Sequence, residues 1–349
     1  MLRAAIIGMG SWGQNLVNSV QGQSDVVRFV AGTTRTPSRA AQFGRDHGIR
    51  MFDSYEGILA EPSIDAVVLA TPHSLHAEQI IAAAAAGKHV FTEKPLGLTH
   101  ESSARAVAAC AEHKVTLAVG YNWRFQPALR DIARMLEDGR LGTLLHMEGN
   151  FCGPSAYRFG RGHWRQDRDE LPAGGMTGRG VHVVDAMLSL AGRIDTVTAQ
   201  SQRRAQDFGV DDTTSMLFRF ASGVTAYLGT VIATAETWRL QVFGSKGWAE
   251  VGDVEHLTTW QLRVCFIDPD NITVKQKPRV VEFAPVSTER AELEHFALAA
   301  REKRPLAIVG GDEVHNVAVL EAIVASAREE RRVRVAEHES SAITERVNA

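Results

Sequence analysis

Ala4-Ala5-Ile6-Ile7-Gly8-Met9-Gly10-Ser11-Trp12-Gly13 is the stretch whose reading decides the fold of this 349-residue chain. Four apolar residues without a polar break suit a strand buried on both faces. Glycines follow at once in Gly-x-Gly-x-x-Gly spacing, and Leu16, Val17 and Val20 beyond them share one side of a 3.6-residue period, which predicts a helix. Strand, glycine turn and helix in this order form a dinucleotide-binding fingerprint. Gly8 permits the tight turn and Gly10 lets a pyrophosphate approach the main chain. Gly13 lets helix and strand pack closely, while the free N–H groups at Ser11 and Trp12 face the anion. A carboxylate about 20 residues further on would hold the ribose 2′-hydroxyl of NAD. The chain has Thr33-Thr34-Arg35 there instead. Hydroxyls beside a guanidinium suit a 2′-phosphate, so the expected cofactor is NADP in preference to NAD.

Outward from this motif, Val26–Ala31, Ala66–Ala70, His89–Phe91 and Thr116–Val119 repeat the short apolar run, separated by amphipathic stretches. That alternation predicts a doubly wound parallel sheet with right-handed crossovers. After about Gly120 the pattern changes. Thr214–Phe220, Val224–Gly229, Trp238–Phe243, Trp248–Val251, Trp260–Phe266 and Arg279–Phe283 follow one another with little helix between them, and Ser222-Gly223 and Lys246-Gly247 offer hairpin turns. A largely antiparallel sheet is expected, with helices at Arg290–Ala300 and Asp312–Ala327. The fold class is therefore α/β, divided into a dinucleotide-binding domain at 1–122, a substrate-binding and oligomerisation domain at 123–336 and a tail at 337–349.

Composition narrows the function. With 44 % hydrophobic and 23 % charged residues the chain has material for a sizeable core. A net charge of −3 lacks the basic excess that nucleic-acid backbones require. Cys110, Cys152 and Cys265 lie far apart, an odd count that fits a reducing cytoplasm. Ile80–Ala86, the longest apolar run elsewhere, falls far short of the ~20 residues needed to cross a bilayer, so no membrane span is expected. His182 and Asp185, with His163 distant, lack metal-ligand spacing, and no metal is expected.

Ala70-Thr71-Pro72 with His76, and then Ala86-Gly87-Lys88-His89-Val90-Phe91-Thr92-Glu93-Lys94-Pro95, resemble the Gfo/Idh/MocA family of oxidoreductases, of which Glu-Lys-Pro is a mark. The resemblance continues through Asn122-Trp123-Arg124-Phe125, Trp164-Arg165, Gly175 to Asp185, Phe243 to Gly247 and Val317 to Ala327. It implies a Rossmann domain followed by an α/β domain whose open sheet forms a homodimer or homotetramer. It also implies cofactor contacts from Thr71, Pro72, His76, Glu93, Lys94, Asn122 and Arg124.

Lys94 stands just past a predicted parallel strand, at the carboxyl edge where open sheets bind ligands. The resemblance places it by the nicotinamide and the reacting oxygen, where burial and a nearby positive charge would lower its pKa enough to exchange a proton. His182 is the second acid–base candidate. Where the family pattern has Asp-x-Gly-x-His, this chain has Gly178, which cannot exchange a proton. Asp185 lies three residues beyond His182, within reach on a helix to orient the imidazole. Arg158, Arg161, Arg165 and Arg179 collect cations around the expected cleft and suit a substrate carrying a carboxylate or phosphate, while Tyr157 and Trp164 could cover a ring. The implied activity is hydride transfer between NAD(P) and a secondary alcohol or ketone of a sugar, polyol, inositol or related cyclic compound. The second reading, favoured by Gly178, is a cofactor-binding sensor or regulator without turnover.

Overall fold

A computed structural model describes residues 1–304 and 313–335; the expected tail at 337–349 and Asp312 lie outside them. Six parallel strands form the first sheet: β1 (Leu2–Ile7), β2 (Val27–Thr33), β3 (Arg50–Met51), β4 (Ala66–Leu69), β5 (His89–Glu93) and β6 (Leu117–Gly120). Their order, β3-β2-β1-β4-β5-β6, reverses between β1 and β4, and ligands of open α/β sheets bind at that switch point. The apolar runs form strands because both faces are covered: Ala4, Ala5, Ile6 and Val67 to Leu69 are all solvent-inaccessible. Short β3 carries no two-residue period in its sequence, and only its pairing to β2 reveals it.

The second sheet contains β7 (Leu144–Cys152), β8 (Ile194–Gln202), β9 (Thr213–Phe220), β10 (Thr225–Val231), β11 (Thr237–Gly244), β12 (Gly247–Asp253), β13 (Gln261–Phe266), β14 (Arg279–Glu282) and β15 (Val333–Arg334). They are ordered β14-β13-β12-β11-β7-β10-β9-β8-β15, antiparallel except where β7 lies parallel to β10. Both expected hairpins are present, at Ser222-Gly223 with Gly223 at φ +90° and between Gly244 and Gly247. Central β7 was not expected. It mixes His146, Glu148 and Asn150 with apolar residues because one face packs on helix Val181–Ala191 and the other is open.

Two later segments return to the first sheet. Helix Thr288–Arg301 buries Leu293, Phe296, Ala297, Ala299 and Ala300 in one core with Leu2, Ile6, Phe29 and Phe91. Arg124, just after β6, pairs with Asp185 of helix Val181–Ala191 at 2.6 Å, and Asn316 of helix Glu313–Glu329 donates to the same carboxylate at 2.9 Å. Asp185 is completely buried. It therefore ties three elements together, and the expected role of Asp185 in orienting His182 is corrected: its carboxylate accepts from Arg124 and Asn316, while His182 Nδ1 makes no hydrogen bond.

Candidate active site

The glycine turn is built by contact as well as by conformation. Gly8 has φ +94°, and a Cβ there would lie 2.5 Å from the carbonyl oxygen of Ala70; at Gly13 it would lie 2.0 Å from that of Gly8. Any side chain would push β1, β4 and the helix Ser11–Val20 apart. Gly10 has nothing within 4 Å of its Cβ direction and caps that helix without a side-chain hydrogen bond. The helix thus presents unsatisfied N–H groups to open space, a cradle that fits a pyrophosphate. Thr33 is buried at the end of β2 and Arg35 is exposed beyond it, a placement open to a ribose substituent.

Beside the cradle lies a cavity of about 410 Å³, between the carboxyl ends of the first sheet and the second sheet. Ser11, Trp12, Thr71, Glu93 and Lys94 face it from the first side, and Phe151, Gly178, Arg179, His182 and Glu236 from the second. Lys94 follows β5 directly, before a cis bond to Pro95, and its Nζ donates to the main-chain oxygen of Gly178 at 2.8 Å. Burial pushes its pKa down to about 8; Glu93 opposes the shift, while Arg165 and Arg179 add to it. Glu93 is buried and moves the other way, up to about 7, because burial outweighs the pull of Lys94 and the Trp12 indole.

His182 stacks on Trp123 with ring centroids 5.5 Å apart, and its Nδ1 makes no hydrogen bond. Burial first, and then Lys94, His256 and Arg179, hold its pKa well below the ordinary value. The imidazole is neutral at pH 7. It can share a hydrogen bond with a substrate but does not arrive carrying a proton to give. His256, which no motif signals, stands 6.1 Å from His182 and accepts from Trp123 Nε1 at 3.1 Å. Burial lowers its pKa to about 3, so its Nε2 carries the hydrogen of a neutral ring.

The cationic rim is less positive than the sequence implies. Glu236, also unforeseen, takes Arg179 at 2.6 Å and Arg158 at 3.4 Å, and Arg161 pairs with Asp207 at 2.8 Å. Arg165 alone of the four makes no ion pair among the described residues; its guanidinium lies over Trp164 at 4.2 Å and Phe159 at 5.3 Å. Tyr157 is exposed and outside the cavity. Asn122 is buried and donates to Thr288 at 3.0 Å. His76 is solvent-inaccessible and lies 2.8 Å from the Pro95 oxygen and 3.1 Å from that of Thr71, bracing the Thr71-Pro72 turn against the Lys94 loop. For Asn122 and His76 the structure shows bracing contacts rather than exposure to the cavity.

Residues 153–175 form the outer wall and reach across to the first sheet. Glu170 accepts from the Ser74 N–H and hydroxyl, His73 Nδ1 lies 2.8 Å from the Glu170 oxygen, and His73 meets Trp164 edge-on at 5.3 Å. Among the described residues no helix is long and apolar enough to cross a membrane.

The model of the oxidoreductase family with an NAD-binding Rossmann fold matches residues 2–121, and that of the GFO/IDH/MocA C-terminal domain matches residues 129–250. D-xylose 1-dehydrogenase (NADP(+)) 2 of Haloferax volcanii is 29 % identical over 331 residues, spanning 92 % of this chain and 96 % of that protein. The scyllo-inositol 2-dehydrogenase (NAD(+)) of Bacillus subtilis is 38 % identical over 154 residues, 42 % of this chain and 44 % of its own length. Aldose–aldose oxidoreductase of Caulobacter crescentus, solved with glycerol, superposes with a TM-score of 0.83 at 27 % identity, covering 95 % of this chain and 99 % of that one. With both halves of the chain matched and the glycine cradle, Lys94 and His182 facing one cavity, the chain belongs to the Gfo/Idh/MocA family of NAD(P)-dependent oxidoreductases.

Proposed function

We propose that the protein moves hydride between NADP, in preference to NAD, and a secondary alcohol or ketone on a sugar, polyol, inositol or related ring. The carrying observation is the cavity itself: one amine tuned to about pH 8 and two neutral imidazoles converge beside an anion cradle. The nicotinamide, when bound, supplies the hydride chemistry. Lys94 takes the hydroxyl proton during oxidation and returns it during reduction. His182 and His256 orient the oxygen through hydrogen bonds, and Phe151, backed by buried Trp123, supplies an apolar wall for a ring face. With Arg179 matched by Glu236, Arg165 is the residue left to recognise an anionic group on the substrate.

The test is a turnover screen over polyols, aldonic acids and cyclic diols with both cofactors, run beside calorimetric titration of each cofactor. Turnover with at least one polyol or ring diol is expected. Binding without turnover on any of them would favour the sensor reading. NADP should bind more tightly than NAD, and Thr34→Asp with Arg35→Ala should reverse the order; equal affinities in the parent would end the proposed preference. Leu217 and Tyr227, paired across β9 and β10, are exposed on the open sheet face and support assembly as a homodimer or homotetramer, which sedimentation measures.

A further inference from the structure

Behind Lys94, on the side away from the cavity, lies a second carboxyl group that the proposed chemistry does not use. Helix Thr288–Arg301 packs across the ends of β5 and β6. Phe296 meets Phe91 edge-on with centroids 5.8 Å apart, which fixes the register of helix on strand. Two residues along β5 from Phe91, about 6.6 Å, lies Glu93; four residues back along the helix from Phe296, about 6 Å, lies Glu292. The two carboxyls are thus brought over the same point. Room for Glu93 comes from its strand partner Gly120, where a Cβ would lie 3.0 Å from Glu93 Oε1. Glu292 is 4 % exposed, and neither of its oxygens makes a hydrogen bond; Glu93 Oε1 makes none either.

Two buried carboxylates cannot both stay ionised beside one ammonium. We propose that Glu292 is a positioning residue for Lys94, held as a neutral carboxylic acid so that Glu93 is the single negative charge facing the amine, with its ionised form supported by the polar Glu292 group. The inference rests on the assignment of Lys94 as the acid–base residue. The charged groups around Glu292 agree with this division: Glu93 and Lys94 face it from β5, Glu289 from its own helix and Asp185 from helix Val181–Ala191. Burial, followed by Glu93 and Glu289, pushes its pKa well above the ordinary carboxyl value, and Lys94 opposes them less. Around Lys94 the other charges are Arg165 and Arg179, both unfavourable to the ammonium. Glu289, unlike Glu292, has hydrogen-bond donors of its own, Asn15 at 3.0 Å and Thr288 at 3.1 Å.

Lys94 can be titrated without any substrate, by carbon NMR of lysine-labelled protein, with its resonance assigned by loss in Lys94→Arg. The parent should titrate near pH 8. Glu292→Gln keeps a neutral polar group and should leave that value unchanged, while removing a protonated-carboxyl band from the infrared spectrum at pH 7.5. Glu292→Leu removes the polar support, raises the cost of ionising Glu93, and should lower the Lys94 value by roughly half a unit or more. A clear fall in Glu292→Gln would mean that Glu292 carries the charge, and would overturn the proposal. So would an unmoved Lys94 in Glu292→Leu, or a parent spectrum without the band, because Glu292 would then be a packing residue or an ionised one. None of these readings depends on turnover, so failure of the substrate screen leaves them standing, and their failure leaves the screen intact.

Discussion

At the scale of single residues, the proposed chemistry turns on Lys94 and Gly178. A group whose pKa is lowered to about 8 passes from ammonium to free amine as pH rises through that value. In the role proposed for Lys94, oxidation uses the amine, so its rate should climb with pH across about 8, and reduction, which uses the ammonium, should fall across the same range. Lys94→Ala should lower kcat by roughly 10²–10⁴-fold and abolish that limb while NADP still binds by calorimetry. Gly178 lies where the family pattern has Asp, and Lys94 donates to its carbonyl instead. A Cβ at 178 would meet only Leu171 Cδ2, at 3.5 Å, so Gly178→Asp can be accommodated. A carboxylate there favours the ammonium and should move the pH limb upward by about one unit; an unmoved limb would show that the new side chain faces away from Lys94.

At the scale of elements, the outer wall at residues 153–175 depends on contacts with the turn after β4. Glu170 supplies most of them, through its side chain to Ser74 and its carbonyl to His73. Glu170→Ala removes the side-chain bonds and leaves the carbonyl contact in place. Losing about 1 kcal/mol of docking should raise the substrate KM roughly fivefold while leaving kcat nearly constant, which initial-rate kinetics resolves. The π-helical turn Met176–Gly180 running into helix Val181–Ala191 has a comparable effect on geometry: it carries the Gly178 carbonyl and the Arg179 guanidinium toward the cavity just before His182.

Over the whole molecule, the buried Arg124–Asp185–Asn316 junction joins the end of the first sheet to two helices of the second half. Burial raises the Asp185 pKa against the pull of Arg124, so the carboxylate is costly to keep and depends on its partners. Arg124→Ala leaves that carboxyl buried without its cation and should cost about 3–5 kcal/mol, measured as a lower urea midpoint with an unchanged slope. The pair is too enclosed for its loss to be offset by water. Helix Thr288–Arg301 has a related role, since the core around Phe91 and Phe296 is completed by residues just over 200 positions apart in the chain.

Sequence alone determined the parallel sheet, the glycine cradle and the position of Lys94, because each rests on local rules: uninterrupted apolar runs, a turn that tolerates no Cβ, and a loop directly after a strand. The short motifs also carried the family. What the tertiary structure decided is how charges pair. Arg179 is balanced by Glu236, 57 residues away; Asp185 is committed to Arg124 rather than His182; and His256 enters the cavity from a loop with no motif. A carboxylate reads the same in sequence whether it is solvated, paired or held as an acid. Its partner and its burial choose among these, and both are set by chain segments that meet only when the two sheets pack together.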